Sequence, residues 1–172
     1  MPTLILGGAR SGKSKIAEKL AHESKLAVTY IATAQVLDAE MNERIAQHRA
    51  RRPALWSSVE EPIALAATLQ QYAAHDHCVL VDCLTLWLTN LLLHPDTATF
   101  ARERTALLSA LPILPGIIIL VSNETGMGVV PLGELTRRYC DEAGLLHQDI
   151  AAQCDQVLLT IAGLPLTLKG TP

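Results

Sequence analysis

Eight residues near the start of the chain, Gly7 to Ser14, read GGARSGKS and fit the pattern G-x-x-x-x-G-K-[ST] of a phosphate-binding loop. They follow directly on an apolar run, Thr3 to Leu6. A strand therefore delivers the chain to the loop, the glycines permit close backbone approach, and the amides from Gly8 to Lys13 can converge on phosphate oxygens. Lys13 is placed to reach the β- and γ-phosphates and the Ser14 hydroxyl to ligate Mg²⁺. A helix of roughly Ser14 to Glu23 should follow, since Ile16, Ala17, Leu20 and Ala21 recur at helical spacing. Its partly positive N-terminus then faces the same anion.

The rest of the chain alternates short apolar runs with helical patterns. Strands are expected at Ala27 to Ala32, Cys78 to Asp82, Ile117 to Ser122 and Gln156 to Ile161, and Gly163 to Lys169 reads as a terminal hairpin strand. Helices are expected near Ala39 to Arg51, Pro62 to Ala74, Leu84 to Leu93, Thr99 to Leu111 and Glu134 to Gln153. Near-continuous hydrophobicity in the strands indicates a sheet buried on both faces. The order gives an α/β fold: a single P-loop NTPase-like domain over residues 1–172, with a doubly wound, mostly parallel sheet flanked by helices. In such a sheet ligands gather at the carboxyl ends of the strands.

Composition excludes several functions. A net charge of −3, from 17 acidic and 14 basic residues, lacks the basic footprint of a nucleic-acid binder. The longest apolar stretch, Ile113 to Val121, is interrupted by Pro115 and Gly116 and falls short of a membrane span, so no membrane insertion is expected. No signal peptide is visible, and Cys78, Cys83, Cys140 and Cys154 show no C-x-x-C spacing. Buried free thiols in a reducing cytoplasm fit that pattern.

Two further segments carry chemistry. The run Cys78 to Asp82, CVLVD, ends an apolar strand in a carboxylate, as a Walker-B strand beside the phosphate loop does to hold Mg²⁺; the other reading of Asp82 is a cap on the helix beginning near Leu84. The segment Asp38 to Pro53 reads DAEMNERIAQHRARRP. On a helix, Arg44, His48 and Arg52 share one face, and their positive charge would keep the imidazole neutral and able to attack phosphorus. A solvated basic face is the alternative. The segment Ser122 to Pro131, SNETGMGVVP, follows a buried strand and is read equally as a substrate loop or a long turn. A switch or motor is disfavoured, because no glycine stands at position 85 after Asp82 and no N-K-x-D motif occurs. A plain P-loop kinase remains open.

Taken together, GGARSGKS, YIATAQ at Tyr30 to Gln35, HRARRP at His48 to Pro53, DCLTLWLTNLL at Asp82 to Leu92, NETGMGVVP at Asn123 to Pro131 and the closing GLPLTLK give a chain that resembles the bifunctional adenosylcobinamide kinase / adenosylcobinamide-phosphate guanylyltransferase family. The resemblance implies two linked reactions: phosphorylation of adenosylcobinamide by ATP or GTP, then transfer of GMP from GTP to adenosylcobinamide phosphate, releasing pyrophosphate. It implies that His48 carries the GMP. It also implies nucleotide contacts from Gly7, Gly8, Ala9, Arg10, Ser11, Gly12, Lys13 and Ser14, from Ala32, Thr33 and Ala34, from Arg49, Ala50, Arg51 and Arg52, and from Glu60 and Asp82, with Ser14 and Asp82 at the metal. A homo-oligomer, a trimer, is implied as well. The stretch RYCDEAGLLHQ departs from the family pattern at Cys140 and His147, where Arg and Asn are more usual.

Overall fold

The computed structural model describes residues 2–35, 53 and 55–171. Its strands are β1 (Pro2–Gly7), β2 (Ala27–Ala32), β3 (Ser57–Glu60), β4 (His77–Asp82), β5 (Ile117–Asn123), β6 (Gln156–Ile161) and β7 (Leu164–Lys169). Its helices are α1 (Lys13–Glu23), α2 (Leu65–Tyr72), α3 (Leu84–Leu92), α4 (Ala98–Ala110) and α5 (Glu134–Gln153), with a 3-10 turn at Leu111–Ile113. The helix expected at Ala39 to Arg51 lies outside the described residues.

The strands form one sheet in the order β3-β2-β4-β5-β1-β6-β7. All neighbours are parallel except β6 and β7, the hairpin the closing residues suggested. Side chains alternate across this sheet, so its buried strands feed two cores. Leu4, Leu6, Val79, Val81, Ile118 and Leu120 point to one face, where they meet Leu69 of α2, Trp87 of α3, Leu107 of α4 and Ile150 of α5. Ile5, Tyr30, Leu80, Ile119 and Val121 point to the other and meet Ala17 and Ala21 of α1, an i,i+4 pair. Two small residues at that spacing let α1 lie close against β1, which holds the loop between them in place.

Three elements differ from the sequence expectation. Strand β3 has no apolar run; it is a mostly exposed edge strand, paired with β2 and tied by a 2.8 Å contact between the Thr29 and Ser57 hydroxyls. Helix α2 is shorter than Pro62 to Ala74, because the Glu61 carboxylate accepts the amides of Ile63 and Ala64 at 2.8 and 2.7 Å and holds them in a turn ahead of the helix. The strand ending in Asp82, expected beside the phosphate loop, is separated from the strand that leads into that loop by β5. Among the described residues no helix is long and apolar enough to cross a membrane.

Candidate functional site

The phosphate loop occupies the carboxyl end of β1. The Ser11 amide donates to the Gly8 carbonyl at 3.2 Å, and the Lys13 ammonium folds back to the same carbonyl at 3.2 Å. Gly12 precedes α1 with φ +98°, a conformation only glycine adopts freely, and a Cβ there would stand 3.0 Å from the Gly163 Cα. A Cβ on Gly7 would meet the Ser11 hydroxyl at 2.5 Å and the Thr160 carbonyl at 2.6 Å. The β6–β7 turn closes on the loop from outside, the Gly163 amide donating to the Ser11 carbonyl at 2.7 Å. No side chain caps α1, so its first amides remain directed at the loop's concavity, the arrangement an anion requires.

Asp82 ends β4 on the α1 side of the sheet, and the hydroxyl of buried Tyr30 donates to its Oδ2 at 2.9 Å. The competing capping role fails: α3 begins after Cys83 with no side-chain cap. One carboxylate oxygen held by a phenol and the other not so held suits a hard divalent cation shared with a Ser hydroxyl. With β5 intervening, two strand spacings, about 10 Å, separate the backbones of β4 and β1, room for a metal and a phosphate between their side chains. The Lys13 charge reaches as far as the Cys83 thiol, which burial above all, and then Asp82, pushes up to about 11. Cys83 is therefore a neutral packing residue. Cys78 and Cys154 are buried free thiols as expected, whereas Cys140 is only half-buried.

Ala32, Thr33 and Ala34 leave the end of β2 beside Asp82. The Thr33 hydroxyl donates to the Cys83 carbonyl at 2.6 Å and accepts the Cys83 amide at 3.0 Å, while the Asn90 amide group donates to the Thr33 carbonyl at 2.8 Å. Glu60 pairs in register with Ala32 on β3. Four strand spacings, about 19 Å, then separate Glu60 from β1, so any contact it makes is with a part of the ligand remote from the loop. His48, Arg49, Ala50, Arg51 and Arg52 lie outside the described residues.

A further cluster, which the sequence left undecided between site and turn, gathers at the carboxyl end of β5. Asn123 pairs in register with Gly7, and the Glu124 amide donates to the Gly7 carbonyl at 3.0 Å. The Asn123 amide donates to the Thr85 hydroxyl at 2.7 Å, yet its Oδ1 is buried without a hydrogen-bond partner among the described residues. Glu124 Oε1 accepts the Gly126 amide at 2.5 Å, and Oε2 faces His147 Nδ1 at 3.9 Å. His147, 8% exposed on α5, shares a 2.8 Å hydrogen bond between Nε2 and the Ser122 hydroxyl. Burial lowers its pKa from the usual 6.5, with Glu124 opposing that shift, so the ring is neutral at pH 7. Tyr139 on the same helix is pushed up to about 12 by burial. A cavity of about 520 Å³ lies between the segment that follows Glu124, from Thr125 to Pro131, and the Arg137, Cys140, Asp141, Gly144 and Gln148 side of α5, and no phosphate-loop residue lines it.

Residues 3–168 match the model of the family described as cobinamide kinase / cobinamide phosphate guanyltransferase. The chain belongs to that family. It is 67% identical over 172 residues to the bifunctional adenosylcobalamin biosynthesis protein CobP of Pseudomonas aeruginosa, covering 100% of this chain and 99% of the relative. It is 38% identical over 182 residues to CobU of Salmonella typhimurium, covering 98% and 100%. Among solved structures, a protein of Pyrococcus horikoshii superposes with a TM-score of 0.57 at 10% identity, over 99% of this chain and 87% of that one. The RadB recombinase superposes with 0.52 at 17%, over 92% and 73%. These likenesses show a fold shared with the RadB recombinase and the Pyrococcus horikoshii protein. The matched residues of the cobinamide kinase / cobinamide phosphate guanyltransferase family include both the phosphate loop and the acidic end of β4.

Proposed function

We propose that the chain phosphorylates the aminopropanol hydroxyl of adenosylcobinamide with ATP or GTP and then transfers GMP from GTP to the resulting phosphate, by way of a GMP adduct on His48. The observation that carries this reading is the family match over residues 3–168, which spans both the phosphate loop and the His48 segment. In the first step the loop amides and Lys13 hold the triphosphate while the alcohol oxygen attacks the γ-phosphorus and the β–γ bridging bond breaks. In the second step the neutral His48 imidazole attacks the α-phosphorus of GTP, and the bond to pyrophosphate breaks. A phosphate oxygen of adenosylcobinamide phosphate then displaces the imidazole, giving adenosylcobinamide-GDP. Ser14 and Asp82 would hold Mg²⁺, which supplies charge neutralisation to the phosphates in both steps. Arg49, Arg51 and Arg52 are placed by sequence to bind phosphate oxygens beside His48, with Ala32 to Ala34, Ala50 and Glu60 completing the nucleotide contacts. The assembly is a homotrimer.

The test is retention of label. Protein incubated with α-labelled GTP and Mg²⁺ is expected to keep label after denaturation, through a bond stable in alkali and broken in acid, and γ-labelled GTP is expected to leave none. His48→Ala should abolish this labelling and guanylyl transfer while kinase activity persists. Normal GMP transfer by that variant would remove the covalent role from His48 and return its segment to a solvated basic face, whereas a wild type that moves only the γ-phosphoryl group would be a plain P-loop kinase.

A further inference from the structure

Phosphoryl transfer to an alcohol leaves a proton that something must accept, and a positioned carboxylate performs this well. Among the described residues four carboxylates end a strand or follow one within a residue, Glu60, Glu61, Asp82 and Glu124, while Asp141 of α5 lines the cavity, with no phosphate-loop residue beside it there. Glu60 is four strands from the phosphate loop. Glu61 is committed to the amides of Ile63 and Ala64. Asp82 is held by Tyr30 and faces the proposed metal. Glu124 differs from all three, because its own amide is bonded to Gly7 of the loop, which sets it one strand spacing from β1.

The side chain of Glu124 is oriented from two directions. The Gly126 amide fixes Oε1, and the neutral His147, anchored through Nε2 to the Ser122 hydroxyl, packs near Oε2. At 3.9 Å that imidazole is too far to hydrogen-bond Oε2, so the oxygen keeps its accepting capacity. Asn123 beside it holds a buried oxygen without a hydrogen-bond partner among the described residues, which marks the same place as one completed by a ligand or water. Thr125 and Gly126, the two residues that follow Glu124 in the chain, line the neighbouring cavity, which is large enough for part of an alcohol-bearing substrate.

We propose that Glu124 is the general base of the kinase step, its Oε2 taking the proton of the substrate hydroxyl as the oxygen attacks the γ-phosphorus. The O–H bond breaks toward the carboxylate and the new P–O bond forms. The pair of the cleaved β–γ bond stays on the departing nucleoside diphosphate, and Glu124 afterwards releases the proton to water. His147 and Gly126 are positioning residues. This assignment rests on the kinase activity proposed above.

The experiment measures phosphorylation of adenosylcobinamide by ATP. Glu124→Gln keeps an oxygen for the Gly126 amide and loses only the base, so kcat is expected to fall about 100-fold or more with little change in KM for ATP. Added formate is expected to restore part of the rate to Glu124→Ala, a gain that a purely structural role would not give. Glu124→Gln at the wild-type rate overturns the assignment. Should that variant not fold, Glu124→Asp and Glu124→Asn decide: they match in size, so a more active Asp variant supports the base and equal loss overturns it. A wild-type protein unable to phosphorylate the corrinoid overturns the kinase reading and this assignment with it, whereas an active wild type with an undiminished Gln variant overturns the assignment alone.

Discussion

Gly12 shows how one residue ties the phosphate loop to the fold. Its φ of +98° strains any side chain and its 3.0 Å approach to Gly163 leaves one little room, although the sequence pattern alone asks only for a glycine before the lysine. Gly12→Ala should therefore destabilise the chain by about 1–2 kcal/mol from the left-handed backbone alone, before any clash. The same change should weaken GTP binding, because the loop amides would turn from the phosphate. Urea unfolding and equilibrium nucleotide titration measure the two effects separately, and wild-type values in both would mean that the loop tolerates a Cβ here.

At the scale of elements, the contact between β5 and α5 carries a buried histidine. His147 binds protons more weakly folded than unfolded, so the unfolded chain gains protons first as acid is added. The sign follows: this group leaves stability intact above 6.5, and stability falls as pH drops from 6.5 toward the lower folded value. His147→Asn should flatten the difference in unfolding free energy measured by urea between about pH 7.5 and about pH 5.5, relative to wild type. An unchanged slope would mean that the ring takes up its proton without loss of packing. The helix expected at Glu134 to Gln153 matches α5 at both ends, but no periodicity could show that its His147 turns toward Ser122 and Glu124. Those residues sit some twenty positions away in the chain, and only the packing of α5 against β5 brings them together.

Across the described residues, exposed large apolar side chains gather most densely in two places. Met127, Val129, Val130 and Leu132 follow β5, with Leu135 and Leu145 on α5, and Leu164, Leu166 and Leu168 share one face of the edge strand β7. Val129 and Leu132 are 96% and 97% exposed. Patches of this kind are usually covered by a partner. Sedimentation equilibrium is expected to give the mass of a trimer, and Val129→Asp combined with Leu132→Asp is expected to reduce it. A monomeric wild type at micromolar concentration would remove the trimer from the proposal.

The sequence by itself determined the local pieces. GGARSGKS after an apolar run fixed strand, loop and helix, because phosphate binding demands those residue types in consecutive order. The buried strands β2 and β6 were legible to the residue, and β1, β4 and β5 to within one, because burial on both faces leaves a continuous apolar run. Strand β3 was hidden, since an exposed edge strand is defined by its neighbour's hydrogen bonds and not by its own hydrophobicity. Tertiary structure alone decided that β5 lies between β1 and β4, which sets Asp82 two strand spacings from the loop and brings Glu124 against Gly7. Strand order depends on which face each connecting helix covers, a pairing between distant segments that no local pattern encodes.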